Sequence, residues 1–270
     1  MKIVAIISFL FCAIHAYSEH NVKVYYQQTP NGFKILADND EFCPISIKIR
    51  FSLTNLKSAE GNNFIFVVPA RNVAQHVTNL FAINENRPYE FKFETLTNYG
   101  DHYLNDFEEE FEYYLPFAKN ESYNLWQGYN GSFSHQNENA LDFTMPVGTE
   151  IFSARDGIVV AVVQNYNRSC DKKECAKFNN YILIYHTDGT FAEYSHIKQN
   201  GSVVKKGEVV KIGQLIGYSG NVGWSSGPHL HLEIFLQKLD KRTTLKTKFL
   251  TGKGEKAVLL TEKESYKREY

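Results

Sequence analysis

The 270-residue chain has no excess of either charge, no cysteines in zinc-finger spacing and no apolar run long enough to cross a bilayer. Its 29 Lys and Arg nearly cancel its 30 Asp and Glu, for a formal net charge of −1. Binding nucleic acid through bulk charge needs a basic surplus, so no nucleic-acid partner is expected. None of the four cysteines is spaced as CxxC, which argues against a four-ligand structural metal site. No H-E-x-x-H occurs, which excludes a hydrolase whose helix supplies two His ligands and a Glu base. Low-complexity stretches are absent too. With 43% hydrophobic residues, the composition is that of a folded chain, long enough for one large or two modest domains.

What is present begins at the N-terminus. Met1-Lys2 carries one positive charge, residues 3–16 are almost all apolar, and polar Ser18-Glu19-His20 follow. This is the layout of a secretory signal peptide, with cleavage expected after Ser18. A membrane helix takes about 20 apolar residues, so no stable span is expected in the mature protein. The expected location is secreted, either extracellular or periplasmic and cell-wall associated. Export to an oxidising compartment allows Cys170 and Cys175, which flank the charged loop DKKE, to close as a local disulfide. Cys43 has no obvious partner and reads as a buried small hydrophobe at the head of a strand.

Periodicity divides the rest. Ile45, Ile47, Ile49, Phe51 and Leu53 alternate with Ser46, Lys48, Arg50 and Ser52, the pattern of a strand with one buried face. Residues 22–26, 64–68 and 89–96 are further strand candidates, separated by turn-formers such as Pro30-Asn31-Gly32. Residues 19–120 therefore read as an N-terminal β-sandwich-like domain. Within it, Phe107, Phe111 and Tyr114 recur at helical spacing and predict a short connecting helix. From 121 to 240 short β-runs are punctuated by glycines, which predicts a mainly antiparallel β-domain. Residues 241–270 read as an extension closing in a hairpin. The predicted class is all-β.

Three segments carry chemistry. In Gly227-Pro228-His229-Leu230-His231-Leu232-Glu233, a strand puts His229, His231 and Glu233 on one face and the leucines on the other. Two imidazoles on one face can meet one metal ion, or one can bind the metal while the other reaches a metal-bound water. Ser134-His135 precedes a polar NEN turn, and Asp142 opens the next strand. Two His and one Asp make the open three-ligand site of a catalytic zinc. Tyr194-Ser195-His196-Ile197 brings a further histidine, whereas His186 beside the Asp188-Gly189 turn reads as structural.

His135 with Asp142, then ARDGIVV, YSHI, KKGEVVKIGQLIGYSGNVG and GPHLHLEIF stand in the order seen in the lysostaphin-type zinc peptidoglycan endopeptidases. The chain resembles that family over roughly residues 130–240. The resemblance implies a two-layer, mainly antiparallel β-fold of the lysostaphin-like (duplicated hybrid motif) type with one zinc ion per chain. The metal ligands fall on His135, Asp142 and His231, and two non-ligand catalytic histidines on His196 and His229. One departure stands out. Three residues usually separate the His and Asp of the first motif, and here six do. Strict spacing would place Glu138 in the ligand position. His135 is preferred because a longer turn can return the chain to the same metal and a second carboxylate would lower the charge of the site.

The implied activity is hydrolysis of peptide bonds in bacterial cell-wall peptidoglycan by a zinc-activated water, with the peptidoglycan peptide as partner. Either His196 or His229 would be the base. A non-catalytic wall-binding module and a zinc peptidase of ordinary proteins are the alternatives. Oligomeric state is not legible.

Overall fold

The computed structural model describes residues 20–270, and the expected signal peptide lies outside them. Among the described residues the chain is almost wholly β, with one 3-10 turn at Lys173–Phe178. None of their helices is long and apolar enough to cross a membrane.

Two sheets form first. One runs in the order Val22–Thr29, Gly32–Asn39, Asn72–Ala82, Leu56–Ser58, and the other Asn63–Val68, Ile45–Thr54, Glu90–Tyr99. The alternation in the Ile45–Thr54 strand buries Ile45, Ile47, Ile49 and Phe51 and leaves Arg50 and Ser52 exposed. Ile49 and Phe51 join Ile35, Leu56 and Leu80 from the facing sheet in one cluster, so the two sheets pack face to face.

The largest sheet follows the order Val209–Val210, Gly157–Val163, Tyr181–Tyr185, Phe191–Ser195, His229–Gln237, Ala140–Thr144, Ser122–Gln127, Ser265–Lys267. Arg242–Thr244 also pairs with His229–Gln237. A smaller layer of Glu150–Phe152, Leu215–Ser219 and Ile197–Ser202 covers one face. Ile151, Ile197 and Ile216 from that layer share a core with Leu141, Phe143, Leu230, Leu232 and Ile234. On the other face, Phe191 and Phe235 pack with Cys43 from the N-terminal half. Cys43 is fully buried, and burial pushes its thiol up to about 12. Past residue 240, Lys248–Thr251 and Lys256–Leu259 form an antiparallel hairpin. Cys170 and Cys175 are joined by a disulfide.

The short helix expected across Phe107, Phe111 and Tyr114 does not form; between residues 105 and 125 the chain holds the two-residue strand Glu112–Tyr113 and the start of the strand Ser122–Gln127. Its burial follows period two instead, with Tyr113, Leu115 and Phe117 all inside the main core. A buried cation dictates the extended path. The Arg155 guanidinium lies 2.7 Å from Glu108 and 2.8 Å from Asp188, and it stacks over Phe111 at 3.9 Å. Pairing and stacking of that cation outweigh local helical periodicity, which here involved three aromatics only.

Two predictions follow from this packing. Phe117 is fully buried, edge-on to Tyr123 and Phe143. Phe117→Ala should cost about 3–5 kcal/mol in urea unfolding, and a loss below about 1 kcal/mol would show that the segment is not part of the core. His186 is fully buried, and its Nδ1 donates to the Asp156 carbonyl at 2.8 Å. Burial pushes it down to about 4 from 6.5. The unfolded chain then binds a proton that the folded chain refuses. Its contribution to stability is complete above pH 6.5 and falls as pH drops toward about 4, by about 3 kcal/mol. In His186→Asn, unfolding free energy measured from pH 7 to 4 should lack this part of the decline.

Candidate metal centre and its groove

Strand register assembles the site. Where Ala140–Thr144 pairs with His229–Gln237, Asp142 lies opposite His231 and Thr144 opposite His229. On the other side, Phe191–Ser195 sets Ser195 opposite His231 and Glu193 opposite Glu233. Side chains alternate along a strand, so Leu230, Leu232 and Ile234 enter the core while His229, His231 and Glu233 line a groove. His135 arrives from the preceding turn. Asn137 takes the left-handed conformation at φ 63°, and the Glu138 N–H donates to the His135 carbonyl at 2.9 Å. That turn absorbs the longer six-residue spacing and brings His135, 1% exposed, back to Asp142.

One oxygen of the Asp142 carboxylate lies 3.2 Å from His135 Nε2 and the other 2.9 Å from His231 Nδ1. The ligand atoms of these three residues all lie within 4.8 Å of one another, the one such group of His, Cys, Asp or Glu among the described residues. Glu138 is exposed and stands outside that group. His135 Nδ1 is 3.0 Å from the Gly128 carbonyl, so Nδ1 carries the proton and Nε2 a lone pair. That Nε2 is buried, makes no hydrogen bond and faces a carboxylate oxygen. Two lone pairs held this close repel unless a cation lies between them. Donors on a tetrahedral divalent cation at about 2.0–2.2 Å stand about 3.3–3.6 Å apart, close to the spacing seen, so the residues fit a metal ion. Burial alone would raise the Asp142 pKa; the His231 imidazole hydrogen-bonded to it outweighs burial and holds the carboxyl well below the usual range. The same pairing overcomes burial at His231 and lifts it to about 9.

His196 and His229 line the same groove with ring centroids 4.4 Å apart. His196 Nδ1 donates to the Val222 carbonyl at 2.7 Å and His229 Nδ1 to the Gly227 carbonyl at 2.8 Å. Each Nε2 is thereby left as a lone pair. Burial, reinforced by the neighbouring imidazoles, pushes His196 down to about 3, and burial lowers His229 too. Both are neutral bases at neutral pH. His196 is left-handed at φ 63°, which breaks the strand alternation and lets Ser195 and His196 both face the groove.

All five residues singled out in the sequence therefore come together. Several others went unnoticed. Gln127 donates from Nε2 to Asp142 Oδ2 at 3.1 Å and to Ser134 Oγ at 2.7 Å, while its Oε1 accepts the N–H groups of Phe133 and Ser134. It fastens the His135 turn to the carboxylate, yet in the sequence it is one Gln before a glycine with no partner in view. Arg242 bridges Glu193 at 2.6 Å and Glu233 at 3.0 Å along the groove floor. Only the shared face of Glu233 with His231 hinted at that group.

The model of peptidase family M23 matches residues 136–243. This stretch is similar to an M23 peptidase domain. Asp142, His196, His229 and His231 lie inside the match, and His135 lies one residue before it. An uncharacterized metalloprotease of Buchnera aphidicola is 40% identical over 98 residues, 36% of this chain and 23% of that protein. The peptidoglycan DD-endopeptidase ShyA of Vibrio cholerae is 37% identical over 99 residues, 37% of this chain and 20% of that protein. ShyC of the same organism is 33% identical over 128 residues, 46% and 27% of the two chains. The chain thus spans about a quarter or less of the length of the first two relatives. Among solved structures, the antimicrobial peptidase lysostaphin from Staphylococcus simulans is 26% identical, with 51% of each chain covered and a TM-score of 0.36.

The Gln127 clamp sets an expectation for the metal site. Removing a group that orients a metal ligand typically weakens binding 10- to 100-fold. With Zn2+ titrated into metal-free protein against a chromophoric chelator, Gln127→Leu should show about that loss. Unchanged affinity would mean that the clamp does not hold the ligand.

Proposed function

We propose that the protein is a secreted zinc metalloendopeptidase that hydrolyses peptide bonds in bacterial cell-wall peptidoglycan. One observation carries the reading: His135, Asp142 and His231 converge in a groove that also holds two neutral imidazoles with free Nε2 lone pairs. In this account the three converging residues hold one zinc ion per chain, and His196 and His229 act on protons. Residues 121–240 form the catalytic unit, residues 19–120 a β-domain whose last stretch packs Tyr113, Leu115 and Phe117 into that unit's core, and residues 241–270 an extension. Two relatives named as peptidoglycan DD-endopeptidases support the choice of substrate.

A bound zinc supplies Lewis acidity and lowers the pKa of a coordinated water toward about 7. Two neutral imidazoles and one carboxylate leave the site net positive. The fixed Nδ1–H tautomers of His196 and His229 determine what each ring can do. An Nε2 lone pair accepts a proton from water, and the protonated ring then returns it to the leaving amine. The second ring, neutral and with its Nδ1–H committed to a backbone carbonyl, offers an Nε2 lone pair that orients the attacking water. Burial keeps both rings unprotonated in the resting enzyme, as a base must be.

Mass spectrometry of purified peptidoglycan sacculi after incubation tests the substrate. Released peptide fragments are expected, with casein left intact. Cleavage of casein alone would favour a peptidase of ordinary proteins, and binding without cleavage a wall-binding module. Variants divide the roles. His135→Ala, Asp142→Ala and His231→Ala should lose both zinc and hydrolysis. His196→Ala and His229→Ala should keep zinc and lose about 10²–10⁴-fold in turnover. Glu138→Gln should keep both. Loss of zinc in Glu138→Gln with retention in His135→Ala would transfer the ligand role to Glu138.

A further inference from the structure

The Cys170–Cys175 loop stands at the rim of the groove. We propose that this disulfide is a positioning element for His196, clamping together the two backbone arms that orient its ring and its main chain; the inference rests on the proton-transfer role given to His196 above.

Cys170 belongs to the first arm. Ser169–Cys170 pairs in parallel with Gly223–Trp224. The Gly223 N–H donates to the Arg168 carbonyl at 2.8 Å and the Ser225 N–H to the Cys170 carbonyl at 3.0 Å. The Trp224 indole N–H donates to the Asp171 carbonyl at 3.2 Å. The strand held in this way presents the Val222 carbonyl to His196 Nδ1 at 2.7 Å. Cys175 belongs to the second arm. It is buried in the 3-10 turn Lys173–Phe178, which Asn179 terminates. Asn179 Oδ1 accepts the His196 N–H at 3.2 Å, and its Nδ2 donates to Ser195 Oγ at 2.8 Å. The arms touch at Gly223, φ +88°, where a Cβ would lie 3.0 Å from Asn179 Cα. The ring and the backbone of His196 are therefore gripped from opposite ends of one covalent bond.

Besides the disulfide, the arms meet where the Arg168 guanidinium lies over the Phe178 ring at 4.8 Å and the Tyr166 ring packs against Phe178 at 5.7 Å. The pairing within the first arm is two residues long, and so short a ribbon is marginal alone. The intervening Asp171, Lys172, Lys173 and Glu174 are exposed and bury no apolar surface. A left-handed non-glycine residue such as His196 persists only where its surroundings over-determine it. The ligand group draws on different contacts. His135 is held by Gly128, Asp142 by Gln127, and His231 by Asp142. Loss of the disulfide should therefore misplace the His196 ring and leave the metal group intact.

The test uses the full-length, zinc-loaded protein with Cys170→Ser/Cys175→Ser in the parent and in His196→Ala. A misplacement of about 1 Å can cost about 100-fold, so kcat should fall about 10- to 100-fold in the parent background. KM and zinc content should hold, and the double substitution should have little further effect once His196 is Ala. An equal loss in both backgrounds, or no loss in the parent, overturns the proposal. If the variant does not fold, the folded parent is reduced with dithiothreitol. The bond takes up two electrons and two protons to become two thiols, while the reductant closes to its cyclic disulfide. A second readout is independent of activity. In 15N NMR of the imidazoles, the Nδ1–H signal of His196, protected by Val222, should weaken when the disulfide is removed. An unchanged signal overturns the proposal. A parent that shows the protected signal but hydrolyses no peptidoglycan counts against the proposed function alone.

Discussion

A carboxylate buried between imidazoles is the constraint on which the groove depends. Asp142 is 4% exposed, and burying an unpaired charge of that kind costs several kcal/mol. The surrounding chain is arranged to offset this cost. The strand register sets His231 directly across from Asp142, the turn at Asn137 returns His135 to it, and Gln127 donates to the oxygen that faces His135. Each contact comes from a different element, so none of these elements can shift register without exposing or orphaning the charge. A one-residue slip of the Ala140–Thr144 strand would send Asp142 into the apolar core and Leu141 into the groove.

The same strand geometry connects the site to the rest of the molecule. Along one face of His229–Gln237 the residues read His229, His231, Glu233, Phe235. The first three line the groove, and Phe235 packs with Cys43 and Phe191. The N-terminal sheets thus rest on the face that carries the site, immediately beyond the Glu193–Arg242–Glu233 group. Arg242 also stacks over Phe235 at 4.2 Å, so one cation joins the groove floor to that packed end. The half of the chain that carries the groove and the N-terminal half share a surface here.

The strands with strict alternation were legible in the sequence because one buried face imposes period two. The Ile45–Thr54 strand and the His229–Gln237 strand both fall in this class, and the second carries two of the five site residues. Gly32–Asn39 was not legible: Leu36 and Ala37 are both buried, so its pattern does not alternate. Asn72–Ala82 is interrupted by register shifts where it pairs with Gly32–Asn39. The helix expected near Phe111 failed because the Arg155 ion pairs, distant in sequence, decided the path of that segment. The His and Asp residues of the site were visible because their donor chemistry is uncommon in such spacing. Gln127, Asn179 and the Val222 carbonyl were not, since any amide or backbone carbonyl could serve and only the tertiary arrangement selects these.

The central claim is that His135, Asp142 and His231 hold one zinc ion. Crystals of the zinc-loaded protein, measured by anomalous diffraction on both sides of the zinc absorption edge, test it directly. The account predicts a single anomalous peak about 2.0–2.2 Å from His135 Nε2, an Asp142 carboxylate oxygen and His231 Nδ1. A peak ligated by Glu138 in place of His135, or the absence of any peak in the groove at full zinc occupancy, would contradict it.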